Sequence, residues 1–236
     1  MENGPLLEIR DIHTFIGQFH ILEGVTVRAP RRSITALLGR NGAGKTTTLK
    51  SIIGLTPPHH GQILLDGQAL QGRRSYEIAS LGIGFVPDYR GIFHDLTVKE
   101  NLLIAERRKG DFAHKADFIF DLFPDLKRLI KLRGQQLSGG QQQMLAIARA
   151  LVPDNKLLLI DEPSEGLAPV LIEHLMDAIR KLAADTTVLL VEQNFIVASK
   201  LAERYTIIEE GRSVKDGRMA DLVKDQATIH RYLGAA

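Results

Sequence analysis

The stretch "LLGRNGAGKTTTLK", Leu37–Lys50, decides the fold. Gly39, four residues, then Gly44-Lys45-Thr46 gives the pattern G-x-x-x-x-G-K-[ST]. It is placed as that pattern requires, after the nearly all-apolar run "SITALLG" (33–39) and before a helical pattern over 44–54. Glycines let the backbone wrap closely around an anion. The N–H groups of such a loop, and the start of the following helix, then face that anion. Lys45 is expected to reach the β- and γ-phosphates of a nucleotide, and Thr46 to offer its hydroxyl to Mg²⁺. A glycine-rich turn with an ordinary surface lysine would show neither this spacing nor these flanks.

Working outward, "KLLLIDEP" (156–163), "TTVLLVEQ" (186–193) and "RYTIIEEG" (204–211) are further apolar runs. Strands apolar on both faces suit a sheet covered on both sides by helices. Helical patterns alternate with them: Leu171, Leu175, Ile179 and Leu182 fall on one face at helical spacing. The expected fold class is therefore α/β, a phosphate-loop NTPase core with a mostly parallel sheet. The short β-like runs "LLEIRDI" (6–12), "GVTVRA" (24–29) and "QILLDG" (62–67) read as an N-terminal antiparallel β subdomain. From about Arg90 to Gly134 no strand pattern occurs. Thr97 and Glu100 form a capping-box pattern there, and "KADFIFDLFPDLKRLIKL" (115–132) is a helix broken or restarted at Pro124. Residues 1–236 are read as one nucleotide-binding domain, with a helical subdomain inserted over approximately 90–135.

Composition sets limits on function. A formal charge of +2 is too small to argue for nucleic acid, and the short basic clusters such as Arg107-Arg108-Lys109 read as solvated surface. With no cysteine in the chain, disulfides and thiolate metal sites are excluded. "MENGPLLEIRD" lacks the basic start and apolar run of a signal peptide. No run of about 18 apolar residues exists, so the chain does not span a membrane as a helix. His59-His60, His94 and His174 lack partner ligands in metal spacing.

Two more segments complete a chemistry. Asp161 ends a buried strand, where open α/β sheets place their ligands, and can hold the water shell of Mg²⁺. Glu162 follows and can orient or deprotonate an attacking water. Alone, an Asp-Glu pair reads as a solvated loop; beside a phosphate loop it reads as a site. "LSGGQQQMLAIARALV" (137–152) is a good helix opened by two glycines behind a serine. Ser138 is placed as N-cap. Gly139 and Gly140 expose N–H groups with no side chain to block a ligand, a second phosphate-binding surface.

Phosphate loop, LSGGQ and "LLLIDEPSEGLAP", in that order, resemble the ATP-binding cassette (ABC) ATPases of membrane transporters over nearly the whole chain. "IFHDLTVKENL" and "LLVEQN" sharpen the resemblance to the ATPases of branched-chain amino-acid importers, with urea and short-amide importers sharing almost the same motifs. The resemblance implies ATP as substrate and Mg²⁺ as cofactor. It implies that Gly39, Arg40, Asn41, Gly42, Ala43, Gly44, Lys45, Thr46 and Thr47 hold ATP. It implies that Ser138, Gly139, Gly140 and Gln141 of one cassette close over ATP bound by another, in a head-to-tail dimer with an identical or homologous subunit. It further implies integral-membrane permease subunits, an extracytoplasmic solute-binding protein reached indirectly, and a peripheral place on the inner face of the cell membrane.

Three positions depart from the family pattern. Gln193 stands where many cassettes have a histidine contacting the γ-phosphate, a neutral amide in place of a titratable ring. Asp88 replaces the glutamine that contacts Mg²⁺ and water, so its contact with the metal is direct, water-mediated or absent. Ile16 precedes Gly17 where an adenine-stacking aromatic is usual. Phe15 then stacks after a small register change, or the base rests on aliphatic carbon. A soluble ABC ATPase outside transport, and a nucleotide-sensing subunit that scarcely hydrolyses, are the competing functions.

Overall fold

A computed structural model describes residues 4–234. Met1–Asn3, the start of the segment read as lacking a signal peptide, lie outside the described residues. Strands β1 (Leu7–Ile16) and β2 (Phe19–Ala29) form a long antiparallel hairpin, and β4 (His60–Leu65) and β5 (Gln68–Ala69) extend it into a four-stranded sheet ordered β2-β1-β4-β5. The second sheet is ordered β10-β9-β3-β8-β7-β6, from β3 (Ile34–Leu38), β6 (Ile83–Val86), β7 (Leu157–Asp161), β8 (Thr187–Val191), β9 (Arg204–Glu209) and β10 (Arg212–Arg218). Five of these strands run parallel and β10 closes the edge antiparallel.

The strands β3, β7 and β8 are buried at every residue, so their side chains feed two cores, one on each face of the parallel sheet. One core lies between this sheet and the β1–β2 hairpin, around Leu22, Leu37, Leu49 and Val191. The other lies under the helices α6 (Gly139–Leu151), α7 (Pro169–Ala183) and α8 (Phe195–Leu201), around Leu145, Ile160, Ile179 and Leu190. In α7, Leu175, Ile179 and Leu182 are buried at the expected spacing, whereas Leu171, at the helix start, is half-buried. Helix α1 (Lys45–Ile52) begins directly at the loop after β3.

Between β6 and α6 the chain carries α3 (Val98–Leu103), α4 (Asp111–Leu122), α5 (Pro124–Arg128) and a 3₁₀ turn at Gly134–Gln136. The expected capping box forms: Glu100 N–H donates to Thr97 Oγ at 3.2 Å, and Glu100 Oε2 accepts from Thr97 N–H at 2.7 Å. Pro124 starts α5, where its missing N–H costs nothing. Five elements escape the sequence reading: β5, the short helix α2 (Ser75–Ser80), β6, α8 and β10. The strand β6 is only "IGFV", four residues, too short for an alternation to register. The polar, mostly exposed "RSVKDGR" of β10 lacks the apolar content of its partner. The small C-terminal helices are α9 (Met219–Leu222) and α10 (Gln226–Leu233).

The two sheets are pinned together at one turn. Gly211, between β9 and β10, donates its N–H to the Ala43 carbonyl at 3.0 Å and accepts the Glu23 N–H of β2 at 2.7 Å. Ser213 adds a second pair, accepting from Thr26 N–H at 2.9 Å and donating to the Thr26 carbonyl at 2.9 Å.

Candidate functional site

The loop from Gly39 to Gly44 leaves the carboxyl end of β3 and curls back on itself, with Ala43 N–H donating to the Arg40 carbonyl at 3.2 Å. Gly44 caps α1 at φ 108°, and the first turn of α1 contains no acidic residue, so its N–H groups present unopposed positive potential. Lys45 is 4% exposed, and its ammonium lies under the loop. It donates to the carbonyls of Gly39 (2.9 Å) and Arg40 (3.2 Å) and pairs with Glu162 Oε1 at 3.3 Å. Arg40, Asn41 and Gly42 are exposed, Thr46 and Thr47 half-buried. Arg40 reaches the carbonyl of Arg231 in α10 at 3.1 Å.

Strand β7 delivers Asp161, fully buried, with neither carboxylate oxygen hydrogen-bonded by the protein. Burial pushes this carboxyl up to about 6, outweighing the downward pull of the nearby Thr46 hydroxyl; the negative charges of Asp88 and Glu162 add smaller upward pushes, and Lys45 opposes them. An orphaned, buried carboxylate with a hydroxyl and another carboxylate around it fits a hard, oxygen-seeking cation. Among the described residues, no three His, Cys, Asp or Glu side chains form a protein-only metal cage.

Glu162 follows in a left-handed conformation, φ 43°, a strained one for a residue with a side chain. Its N–H donates to the Val191 carbonyl at 2.9 Å, which holds the turn against the end of β8. Gln193 is exposed two residues past β8. Asp88, exposed after β6, accepts from the Tyr89 N–H at 2.8 Å. Lys45, Thr46, Asp161, Glu162 and Asp88 thus form one interacting cluster of charge and hydroxyl.

Ser138 caps α6 with a reciprocal box: Gln141 N–H donates to Ser138 Oγ at 3.3 Å, and Ser138 N–H donates to Gln141 Oε1 at 2.9 Å. The S-x-x-Q spacing carries that box, which reading Ser138 as a bare N-cap missed. Gly139 is exposed, as a ligand-facing N–H requires. Gly140 is buried, and a Cβ there would fall less than 3.0 Å from Leu171 of α7. Packing between α6 and α7 is therefore a reason for this glycine that sequence reasoning had assigned to ligand access alone.

Phe15 does not stand free. It lies flat against His20 across the hairpin, centroids 4.1 Å apart with planes at 6°, and meets the edge of His59 at 5.0 Å. The β1–β2 register places Phe15 opposite His20, a pairing visible only once the turn at Gly17-Gln18 is known. Sequence reasoning also missed Glu192 and Ser164, both buried beside Glu162. Their only signal was a charged residue following an all-apolar strand.

Comparison with known proteins matches this geometry to one family. Residues 22–165 match the family model described as ABC transporter. The chain is 40% identical over 97% of its length, and 100% of the relative's, to a high-affinity branched-chain amino acid transport ATP-binding protein (BraG) of Pseudomonas aeruginosa. It is 38% identical to a probable branched-chain amino acid transport ATP-binding protein (LivF) of Archaeoglobus fulgidus, covering 89% of this chain and 90% of that one. Its fold superposes on a nucleotide-free ATP-binding cassette from an ABC transporter with a TM-score of 0.85, over 98% of this chain and 99% of the other, at 23% identity.

Proposed function

Since this chain belongs to the ABC transporter family and is an ATPase subunit of it, we propose that it powers solute import by hydrolysing ATP at a head-to-tail dimer interface. The solute class is branched-chain and other hydrophobic amino acids, supported by two relatives whose names carry that substrate and which align over nearly their whole length. The single observation that carries the hydrolytic part is the cluster of Lys45, the orphaned Asp161 and the strained Glu162 at the start of α1.

In this reading the loop Gly39–Gly44 and the start of α1 bind the β- and γ-phosphates through backbone N–H groups, with Arg40, Asn41 and Thr47 at the rim. Lys45 exchanges its carbonyl partners for phosphate oxygens, which frees Glu162 from the ion pair. Phe15, held in its stack with His20, forms the adenine wall. Thr46, Asp88 and, through water, Asp161 are the residues that would hold Mg²⁺. When bound, that ion neutralises charge on the β- and γ-phosphate oxygens. Glu162 accepts the proton of the water that attacks the γ-phosphorus as its bond to the β–γ bridging oxygen breaks and ADP leaves, and Gln193 fixes that water and the γ-phosphate by hydrogen bonds. Ser138, Gly139, Gly140 and Gln141 of the second subunit close the site from its open side, adding α6 N–H groups to the γ-phosphate shell.

The helical stretch over approximately 90–135 acts as the subdomain that passes closure to integral-membrane permease subunits. No described helix is long and apolar enough to cross a membrane, which agrees with a peripheral subunit held to the membrane's inner face by those permeases. A solute-binding protein would deliver the solute to them. The test is Mg²⁺-dependent ATP hydrolysis by the purified chain, alone and reconstituted with its permeases. Absence of hydrolysis in both settings would end this reading and leave nucleotide sensing in its place.

A further inference from the structure

Glu192 is a buried acid that the ATP site leaves without a role. It follows β8 directly and is 2% exposed. Its carboxylate accepts three hydrogen bonds. Oε2 takes the Ser164 hydroxyl at 2.9 Å and the Asn194 N–H at 3.3 Å, and Oε1 takes the Ser164 N–H at 3.2 Å. Ser164 is thus gripped twice, through backbone and side chain. It lies two residues past Glu162, and Gln193 lies between Glu192 and Asn194.

A buried carboxyl is expensive where packing alone is needed, since an apolar residue of similar size fills the space without a desolvation penalty. Burial does push Glu192 upward, to about 7, with a further push from Glu162, while its Ser164 and Asn194 donors pull back. What the carboxyl supplies in return is acceptors for donors on two loops at once. The turn carrying Glu162 needs such support. Its φ of 43° persists only where the surroundings over-determine it. Two anchors run from this turn to β8: the Glu162 N–H to the Val191 carbonyl, and Ser164 to Glu192.

We propose that Glu192 is a positioning residue for hydrolysis, tying the turn that aims Glu162 to the loop that carries Gln193, so that the two γ-phosphate-facing side chains keep a fixed separation. The inference rests on the ATPase reading above. It assigns Glu192 no contact with ATP, so its loss should act on the rate of the chemical step and spare nucleotide affinity.

The test is single-turnover ATP hydrolysis, with equilibrium ATP binding measured in parallel, on full-length Glu192→Ala, Ser164→Ala, the double variant and Glu192→Gln. Loss of buried hydrogen bonds of this kind predicts single-turnover rates about 10–100-fold lower for Glu192→Ala. ATP affinity should stay within about 3-fold of wild type, as for an interaction absent from the ground-state complex. The double variant should be no slower than Glu192→Ala, because the one bond that Ser164→Ala removes is already lost in Glu192→Ala. Glu192→Gln, which keeps an oxygen acceptor and can donate to the Ser164 hydroxyl, should recover most of the rate. A wild-type rate in Glu192→Ala, or losses that multiply in the double variant, overturns the proposal. If Glu192→Ala does not fold, Glu192→Leu, an apolar side chain of similar size that removes every acceptor, decides in its place: a slowed rate at unchanged affinity supports the tie, and a wild-type rate overturns it. A wild-type chain that does not hydrolyse ATP sinks the ATPase reading and this inference with it; an active wild type with an unaffected Glu192→Ala sinks only the inference.

Discussion

Replacing Gly39 and Gly42 by alanine, one at a time, separates the phosphate loop's two kinds of glycine. Both residues have positive φ, 150° at Gly39 and 80° at Gly42, so each alanine pays backbone strain of about 1–3 kcal/mol. Both also gain about 0.4–1 kcal/mol from a less flexible unfolded chain. Only their surroundings differ. A Cβ at Gly42 meets nothing within 4 Å. A Cβ at Gly39 falls less than 3.0 Å from the Ile208 carbonyl oxygen of β9, a backbone atom that cannot rotate aside. Overpacking of this kind adds about 1–3 kcal/mol. Gly39→Ala is therefore expected to be less stable than Gly42→Ala by about that amount. For a chain of this size the difference corresponds to roughly 2–12 °C in melting temperature. Thermal and urea unfolding followed by circular dichroism measure it. Equal losses in the two variants would refute the claim that the loop is seated against β9.

Glu162→Gln should slow turnover by about 10²–10⁴-fold while ATP still binds, measured by hydrolysis and by nucleotide titration; wild-type turnover removes Glu162 as the base. Ser138→Ala breaks the box with Gln141 and should cost about 1 kcal/mol in urea unfolding. Its hydrolysis should fall further than that loss of stability explains if Ser138 also meets the neighbouring subunit's ATP. Glu192 sits at about 7 in the folded chain against an ordinary 4.5. A raised pKa means that its contribution to stability is complete below about pH 4.5 and disappears as pH rises through 7. The shift is worth about 3 kcal/mol. Stability of wild type relative to Glu192→Gln should therefore decline by about that amount between pH 4.5 and 8, and a flat difference in urea unfolding would contradict the burial of this carboxyl.

The chain announces its core because the strands that build it are buried on both faces and read as unbroken apolar runs, and because the phosphate loop has a fixed spacing. The edges are quieter. Strand β6 is four residues, and β10 is polar because it lies at the rim, so neither carries a periodic signal. Within the site, Lys45, Asp161, Glu162 and Ser138 are legible from local motifs. Their partners are not, because they arrive from distant segments: Leu171 against Gly140, His20 against Phe15, Glu192 against Ser164. A glycine explained by a ligand and a glycine explained by a neighbouring leucine look the same in sequence.

Gly211 touches the phosphate loop with one side of its peptide and β2 with the other. The hairpin that carries Phe15 and the loop that takes the phosphates are therefore mounted on a common joint, with Thr26 and Ser213 as a second rivet. Under the proposed function, that joint would fix the distance between Phe15 as wall for the base and the loop that takes the triphosphate. Any closing of the site in that function would then fall to elements outside the joint, such as α6 with its exposed Ser138 and Gly139.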